Sequence, residues 1–226
     1  MANLFDGVRA VLFDMDGTLV ETNIDFPLMR REVLALGGKY GIPDRDLDGL
    51  DILSAVDLID ARLRETSRED EAVRARQEAL EKLEQIELAH SEEARPIDGA
   101  HDVLRALREV GLKTAIVTRN CRAAVELSLE ITGIFADVLL TRDDVRKRKP
   151  HPEHLVMALD MLEVPPGQAV TVGDHWMDVQ GGKAAGTRTV GFLRPDRPDD
   201  FFDIEKPDLV IRRLAELLDP IERLRK

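Results

Sequence analysis

Two aspartates one residue apart, Asp14 and Asp16, follow the apolar run Val11-Leu12-Phe13 and precede Gly17-Thr18. Val8 to Phe13 reads as a buried strand, because β-branched and aromatic side chains run almost without a polar break. The carboxyl ends of strands in open α/β sheets are where ligands bind. Two carboxylates placed there repel, so the site calls for a cation, a shared proton or a strongly cationic neighbour. A calcium loop does not fit, since it needs an oxygen ligand at position 5, Gly at 6 and Glu at 12. Here Gly17 comes at position 4 and Leu19 at 6. A plain Asp-Gly turn is the alternative that this stretch alone leaves open.

Further polar residues fall at comparable places. Thr118, Arg119 and Asn120 follow the strand-like Lys113–Val117. Gly173 and Asp174, and then Asp178, follow Ala169–Val172. Lys149 lies in Arg148-Lys149-Pro150-His151-Pro152-Glu153, just before a helix. Parallel strands would bring all these ends to one sheet edge. Asp14, Asp16 and Asp174 are hard oxygen donors that suit Mg²⁺, which binds one or two carboxylates and substrate phosphate. Thr118 offers a hydroxyl to a phosphate oxygen, and Lys149 a point charge that balances both Asp14 and a transferring group. One carboxylate can form an aspartyl phosphate, and a second can protonate the leaving oxygen and activate water. Each has a structural alternative: Thr118 as a helix N-cap, Lys149 as part of a solvated basic run, Asp178 as a stabiliser of its own helix start.

The elements that must carry these residues alternate. Helices are expected over Ala100–Glu109, Cys121–Ile131, His154–Leu162 and Gln180–Ala185, with a closing helix from Arg212. Strands are expected over Lys113–Val117, Asp137–Leu140, Ala169–Val172, Thr189–Phe192 and Leu209–Ile211. That alternation implies a parallel sheet covered on both faces. Residues 21–95 show no convincing strand. They read as helices over about Pro27–Tyr40, Leu50–Leu63 and, after the capping-type Thr66-Ser67-Arg68-Glu69, to about Ala89. The expected organisation is an α/β core, residues 1–20 and 96–226, with an all-helical domain, 21–95, inserted after the first strand.

A net charge of −12 argues against a nucleic-acid binder. It also leaves any phosphate site to be built locally. No apolar run reaches the length of a membrane span, and the N-terminus lacks signal-peptide character. The lone Cys121 cannot form an internal disulfide. A cytoplasmic location is the default, and the oligomeric state is left open.

In this order the residues resemble the haloacid dehalogenase superfamily of phosphotransferases. The match is Asp14-Met15-Asp16-Gly17-Thr18, then Thr118 after a hydrophobic strand, Lys149-Pro150-x-Pro152-Glu153, and Gly173-Asp174-x-x-x-Asp178. It covers about residues 7–20 and 96–212, and members with an α-helical insert, including phosphoglycolate-phosphatase-like enzymes, are most similar. The resemblance implies a Rossmann-like core with a helical cap that closes over the site and reads the leaving group. It implies Asp14 as nucleophile and Asp16 as general acid/base. Mg²⁺ would be held by Asp14, the Asp16 carbonyl and Asp174, with Asp178 as a further ligand or an orienter of Lys149. Thr118 and Lys149 would hold phosphate, with Arg119 and Asn120 counted beside them. The implied activity is Mg²⁺-dependent hydrolysis of a small phosphate ester.

Two positions depart from the pattern. Arg119 stands where many relatives carry Asn, and His175 where Ser or Thr is usual. Dehalogenases lack the second aspartate, so Asp16 argues against that chemistry. A phosphonate-cleaving relative would need a Schiff-base lysine, and the insert has only Lys39 and Lys82. A phosphomutase stays open as the alternative within the family. A phosphorylation-responsive receiver-like binding module is the alternative of another class.

Overall fold

The computed structural model describes residues 4–225, which form two compact units, 4–22 with 93–225 and Asn23–Glu92. In chain order the elements are β1 (Ala10–Phe13), β2 (Val20–Glu21), α1 (Phe26–Lys39), α2 (Asp44–Leu47), α3 (Ile52–Glu65), α4 (Glu69–Ser91), β3 (Arg95–Pro96) and α5 (Ala100–Glu109). They continue with β4 (Lys113–Val117), α6 (Arg122–Thr132), β5 (Val138–Leu140), α7 (Glu153–Leu162), β6 (Ala169–Gly173), α8 (Trp176–Ala185), β7 (Arg188–Phe192), β8 (Leu209–Ile211) and α9 (Leu218–Glu222).

Six strands form one parallel sheet in the order β5-β4-β1-β6-β7-β8. Each sheet face is covered, which is why the central strands read as unbroken apolar runs. Side chains alternate across the pleat. Val11 and Phe13 join Ile116, Val172 and Val190 with Val103 and Leu107 of α5 in one core. Ala10 and Leu12 join Ala115, Val117 and Leu140 with Leu155 and Leu159 of α7 in the other. β1 sits centrally, paired with β4 on one side and β6 on the other, so its carboxyl end is flanked by theirs. This is the α/β Rossmann-like core expected from the alternation.

The second unit is helical. Met29, Val33 and Leu36 of α1, Val56, Ile59 and Leu63 of α3, and Ala72, Ala75, Ala79 and Leu83 of α4 form its core. Asp25 and Asp51 cap α1 and α3 by accepting hydrogen bonds from Leu28 N–H and from Leu53 and Ser54 N–H. The capping role expected at Thr66-Ser67-Arg68-Glu69 is not found. Thr66 closes α3 instead, its Oγ1 donating to the Arg62 and Leu63 carbonyls, and α4 starts without a side-chain cap. Where the chain leaves and re-enters the α/β unit, β2 and β3 pair as a short antiparallel ribbon. No helix among the described residues is long and apolar enough to cross a membrane.

Candidate active site

Immediately after β1 the backbone winds around one carbonyl: the amides of Thr18, Leu19 and Val20 all donate to Met15 O, at 3.1, 2.9 and 3.0 Å. Gly17 permits this turn. Its φ is +85°, and a Cβ there would lie 2.5 Å from Asp174 Oδ2. Thr18 then donates its hydroxyl to Asp174 Oδ1 at 2.9 Å, tying the turn to the end of β6. Gly173 is needed for a similar reason, since a Cβ there would overlap the Asp178 carboxylate.

The two neighbouring aspartates have different surroundings. Asp14 accepts a charged hydrogen bond from Lys149 Nζ at 2.8 Å. Asp16 is met by three neutral donors. Thr22 Oγ1 donates to its Oδ1 at 2.7 Å, while Thr118 Oγ1 and Asn120 Nδ2 each reach its Oδ2 at 3.3 Å. Thr118 Oγ1 also accepts from Asn120 N–H, so Thr118 does not cap α6. That helix is capped from another loop, through Arg122 N–H to Asp143 Oδ2 at 2.8 Å. Arg122 Nη2 binds the Asp144 carboxylate, which also accepts from the Thr141 N–H at 2.7 Å. The turn after β4 is thereby joined to the segment leading to Lys149.

Lys149 is buried and bridges Asp14 and Asp178, at 2.8 and 2.6 Å. Burial disfavours its charge, but Asp14 and Asp178 outweigh that, and its pKa stands above the ordinary lysine value. Asp178 also shapes the backbone, because its Oδ2 accepts from His175 N–H at 3.1 Å and closes a capping box on α8. Ligand oxygens of Asp14, Asp174 and Asp178 lie within 4.8 Å of one another. Burial raises the Asp14 pKa, as does Asp178, against the opposing pull of Lys149. Asp174 is pushed up to about 8 by burial and then by Asp14 and Asp178, with Thr18 and Arg194 pulling the other way. Three carboxylates against one ammonium leave two formal negative charges in a buried space. An all-oxygen acidic set short of positive charge fits a hard divalent cation.

The structure thus gathers Asp14, Asp174, Asp178 and Lys149 in one cluster, and joins Asp16 to Thr118 and Asn120. Arg119 is placed differently: its guanidinium touches Met177 Sδ. Thr18, Thr22 and Arg194 were not singled out by sequence. Arg194 donates to Gly17 O at 3.3 Å and pairs with Glu21. Only the position of Thr18 and Thr22 just after the aspartates could have pointed to them.

A parallel α/β core with this acid-and-lysine cluster at its carboxyl edge, and an all-helical unit inserted after the first strand, defines a class of hydrolases. The chain belongs to the haloacid dehalogenase-like hydrolases, whose family model matches residues 11–192. It is 31% identical over 216 residues to the pyrophosphatase PpaX of Halalkalibacterium halodurans, covering 94% of this chain and 96% of that one. It is 33% identical over 215 residues to PpaX of Bacillus cereus, covering 93% and 95%. Among solved structures, a HAD phosphatase from Thermococcus onnurineus superposes with a TM-score of 0.60 at 27% identity, covering 94% and 97%. A HAD family hydrolase from Deinococcus radiodurans gives 0.63 at 23% identity, covering 96% of both chains. These relatives place the chain among the family's phosphoric ester hydrolases, and the receiver-like alternative falls away.

Proposed function

We propose that the chain is a Mg²⁺-dependent phosphatase that hydrolyses a small phosphorylated metabolite through an aspartyl phosphate on Asp14. The observation that carries this reading is the contrast between the two neighbouring aspartates. Asp14 is paired with a buried ammonium, which favours the ionised, nucleophilic carboxylate against the opposing effect of burial. Asp16 is held by the hydroxyls of Thr22 and Thr118 and the amide of Asn120. A hydroxyl can donate to a carboxylate or accept from a carboxylic acid, so these surroundings serve Asp16 in either protonation state.

In the first step an Asp14 oxygen bonds to phosphorus, the bond to the leaving oxygen breaks, and Asp16 delivers its proton to that oxygen. In the second, the Asp16 carboxylate takes a proton from water. The water oxygen bonds to phosphorus, and the Asp14–phosphorus bond breaks. Lys149 and Thr118 hold the non-bridging oxygens and offset their charge, with Arg119 and Asn120 assigned beside them. Mg²⁺, held by Asp14, Asp174 and the Asp16 carbonyl with Asp178 as a further candidate, would supply electrostatic stabilisation of the transferring group. Phosphonate chemistry has no support in the helical unit, where Lys39 pairs with Glu78 and Lys82 with Glu32 at the surface.

The named activity of the PpaX relatives puts inorganic pyrophosphate beside phosphoglycolate, sugar phosphates and nucleotides as substrates to assay. We place the enzyme in the cytoplasm, in line with its single cysteine. The test is phosphate release across that panel with and without Mg²⁺, for wild type, Asp14→Asn and Asp16→Asn. Repeated turnover that needs Mg²⁺ and vanishes in Asp14→Asn is expected. Turnover surviving that substitution would overturn the assignment, and isomerised product without net phosphate release would identify a mutase.

A further inference from the structure

The first turn of α8 and the loop after β7 form a rim that the reaction above does not use. His175 follows Asp174 directly; its ring lies 5.4 Å from that of Trp176 and 6.1 Å, edge-on, from that of Phe201. The Arg197 guanidinium sits 5.1 Å from the Phe201 ring centre. A second guanidinium, Arg119, touches Met177. Met177 N–H faces His175 Nδ1 at 3.4 Å, which leaves the ring proton on Nε2 as a donor. Arg119, Arg197, Lys149 and Asp14 all lie within electrostatic reach of the imidazole.

The loop's charges are unevenly matched. Asp196 lies 3.9 Å from Arg194, and Asp199 pairs with Arg212 at 2.8 Å. Arg197 makes no ion pair among the described residues, and its amide bonds to Arg194 O in a turn flanked by Pro195 and Pro198. An arginine lying on an aromatic face keeps its charge and its fork of donors for a partner. Asp200 and Asp203 make the loop acidic as a whole, so an anion there depends on Arg197 itself and not on the surrounding field.

We propose that Arg197, with His175, forms a second anion subsite, so the preferred substrate is a phosphate ester or anhydride whose leaving group carries its own anionic group, phosphoryl or carboxylate. This rests on the phosphatase reading. It adds that part of the leaving-group recognition comes from the α/β unit.

The test uses the full chain with Mg²⁺. Values of kcat/KM for inorganic pyrophosphate and for 2-phosphoglycolate are each divided by the value for p-nitrophenyl phosphate. Arg197→Gln should lower at least one ratio about tenfold, the size of one charge-assisted contact, mainly through KM. Arg197→Glu should lower it further. Which ratio moves tells phosphoryl from carboxylate. Both ratios staying within about twofold of wild type in both variants would overturn the subsite alone. Failure of the wild type to turn over any of the three compounds would remove the phosphatase reading, and the subsite with it.

Discussion

Replacing Lys149 by Met should damage stability and activity together, with a pH signature that an ordinary core substitution lacks. Lys149 is 3% exposed and donates two charged hydrogen bonds, 2.8 Å to Asp14 and 2.6 Å to Asp178. Bonds to charged groups are each worth about 1.5–3 kcal/mol, and removing one partner of a buried ion pair costs about 3–5 kcal/mol. A loss of about 4 kcal/mol at neutral pH is therefore expected in metal-free buffer. With the ammonium gone, the buried carboxylates hold protons to higher pH than in wild type, where Asp14 and Asp174 are already raised. A folded-state pKa raised above the unfolded value gives stability that is fully present below the unfolded pKa and lost as pH rises through the folded one. The variant's deficit should accordingly grow between about pH 5 and pH 8, by up to about 1.4 kcal/mol per pH unit for each extra proton held. Mg²⁺ should recover part of it, while kcat falls by about 100-fold or more. Urea unfolding at several pH values in EDTA and in Mg²⁺ measures this. A deficit below about 1 kcal/mol, or one that does not change with pH, would refute the buried-pair reasoning.

Two other perturbations follow from the same geometry. Gly17→Ala puts a methyl carbon 2.5 Å from Asp174 Oδ2 at a φ of +85°. It should cost about 1–3 kcal/mol and weaken Mg²⁺ activation, read from unfolding curves and the Mg²⁺ concentration for half-maximal rate. His154 is fully buried with neither ring nitrogen in a hydrogen bond of normal geometry, although the Thr141 backbone gives it a polar neighbour. Burial, and then Lys149, hold its pKa down to about 3. The unfolded chain takes that proton first, so stability present above about pH 6.5 is lost as pH falls, at up to about 1.4 kcal/mol per unit. His154→Leu should flatten that slope in urea unfolding between about pH 6 and 4; an unchanged slope would show that the acid sensitivity lies elsewhere.

Much of the core was legible because strands buried on both faces leave unbroken apolar runs, and parallel pairing brings their polar ends together. Asp14, Asp174 and Thr118 stand out at such ends. The rest depended on tertiary contacts that no local pattern records. Thr22 reaches back to Asp16, and Asp143 caps a helix from another loop. Arg194 crosses from beyond β7 to Gly17. α8 begins at Trp176, ahead of the expected Gln180, because His175 and Asp178 close a capping box that offsets the low helix propensity of Gly181 and Gly182. The short α2, whose start Pro43 precedes, is a single turn too brief to show periodicity.

Covalent capture of the phosphoryl group tests the central claim most directly. The wild-type enzyme is mixed with a turned-over phosphate ester, quenched in acid within a single turnover, digested and read by mass spectrometry. One phosphoryl group located on Asp14, and absent from Asp14→Asn, is the predicted result. A label on another residue, or phosphate release with no labelled enzyme at any time point, would contradict the account.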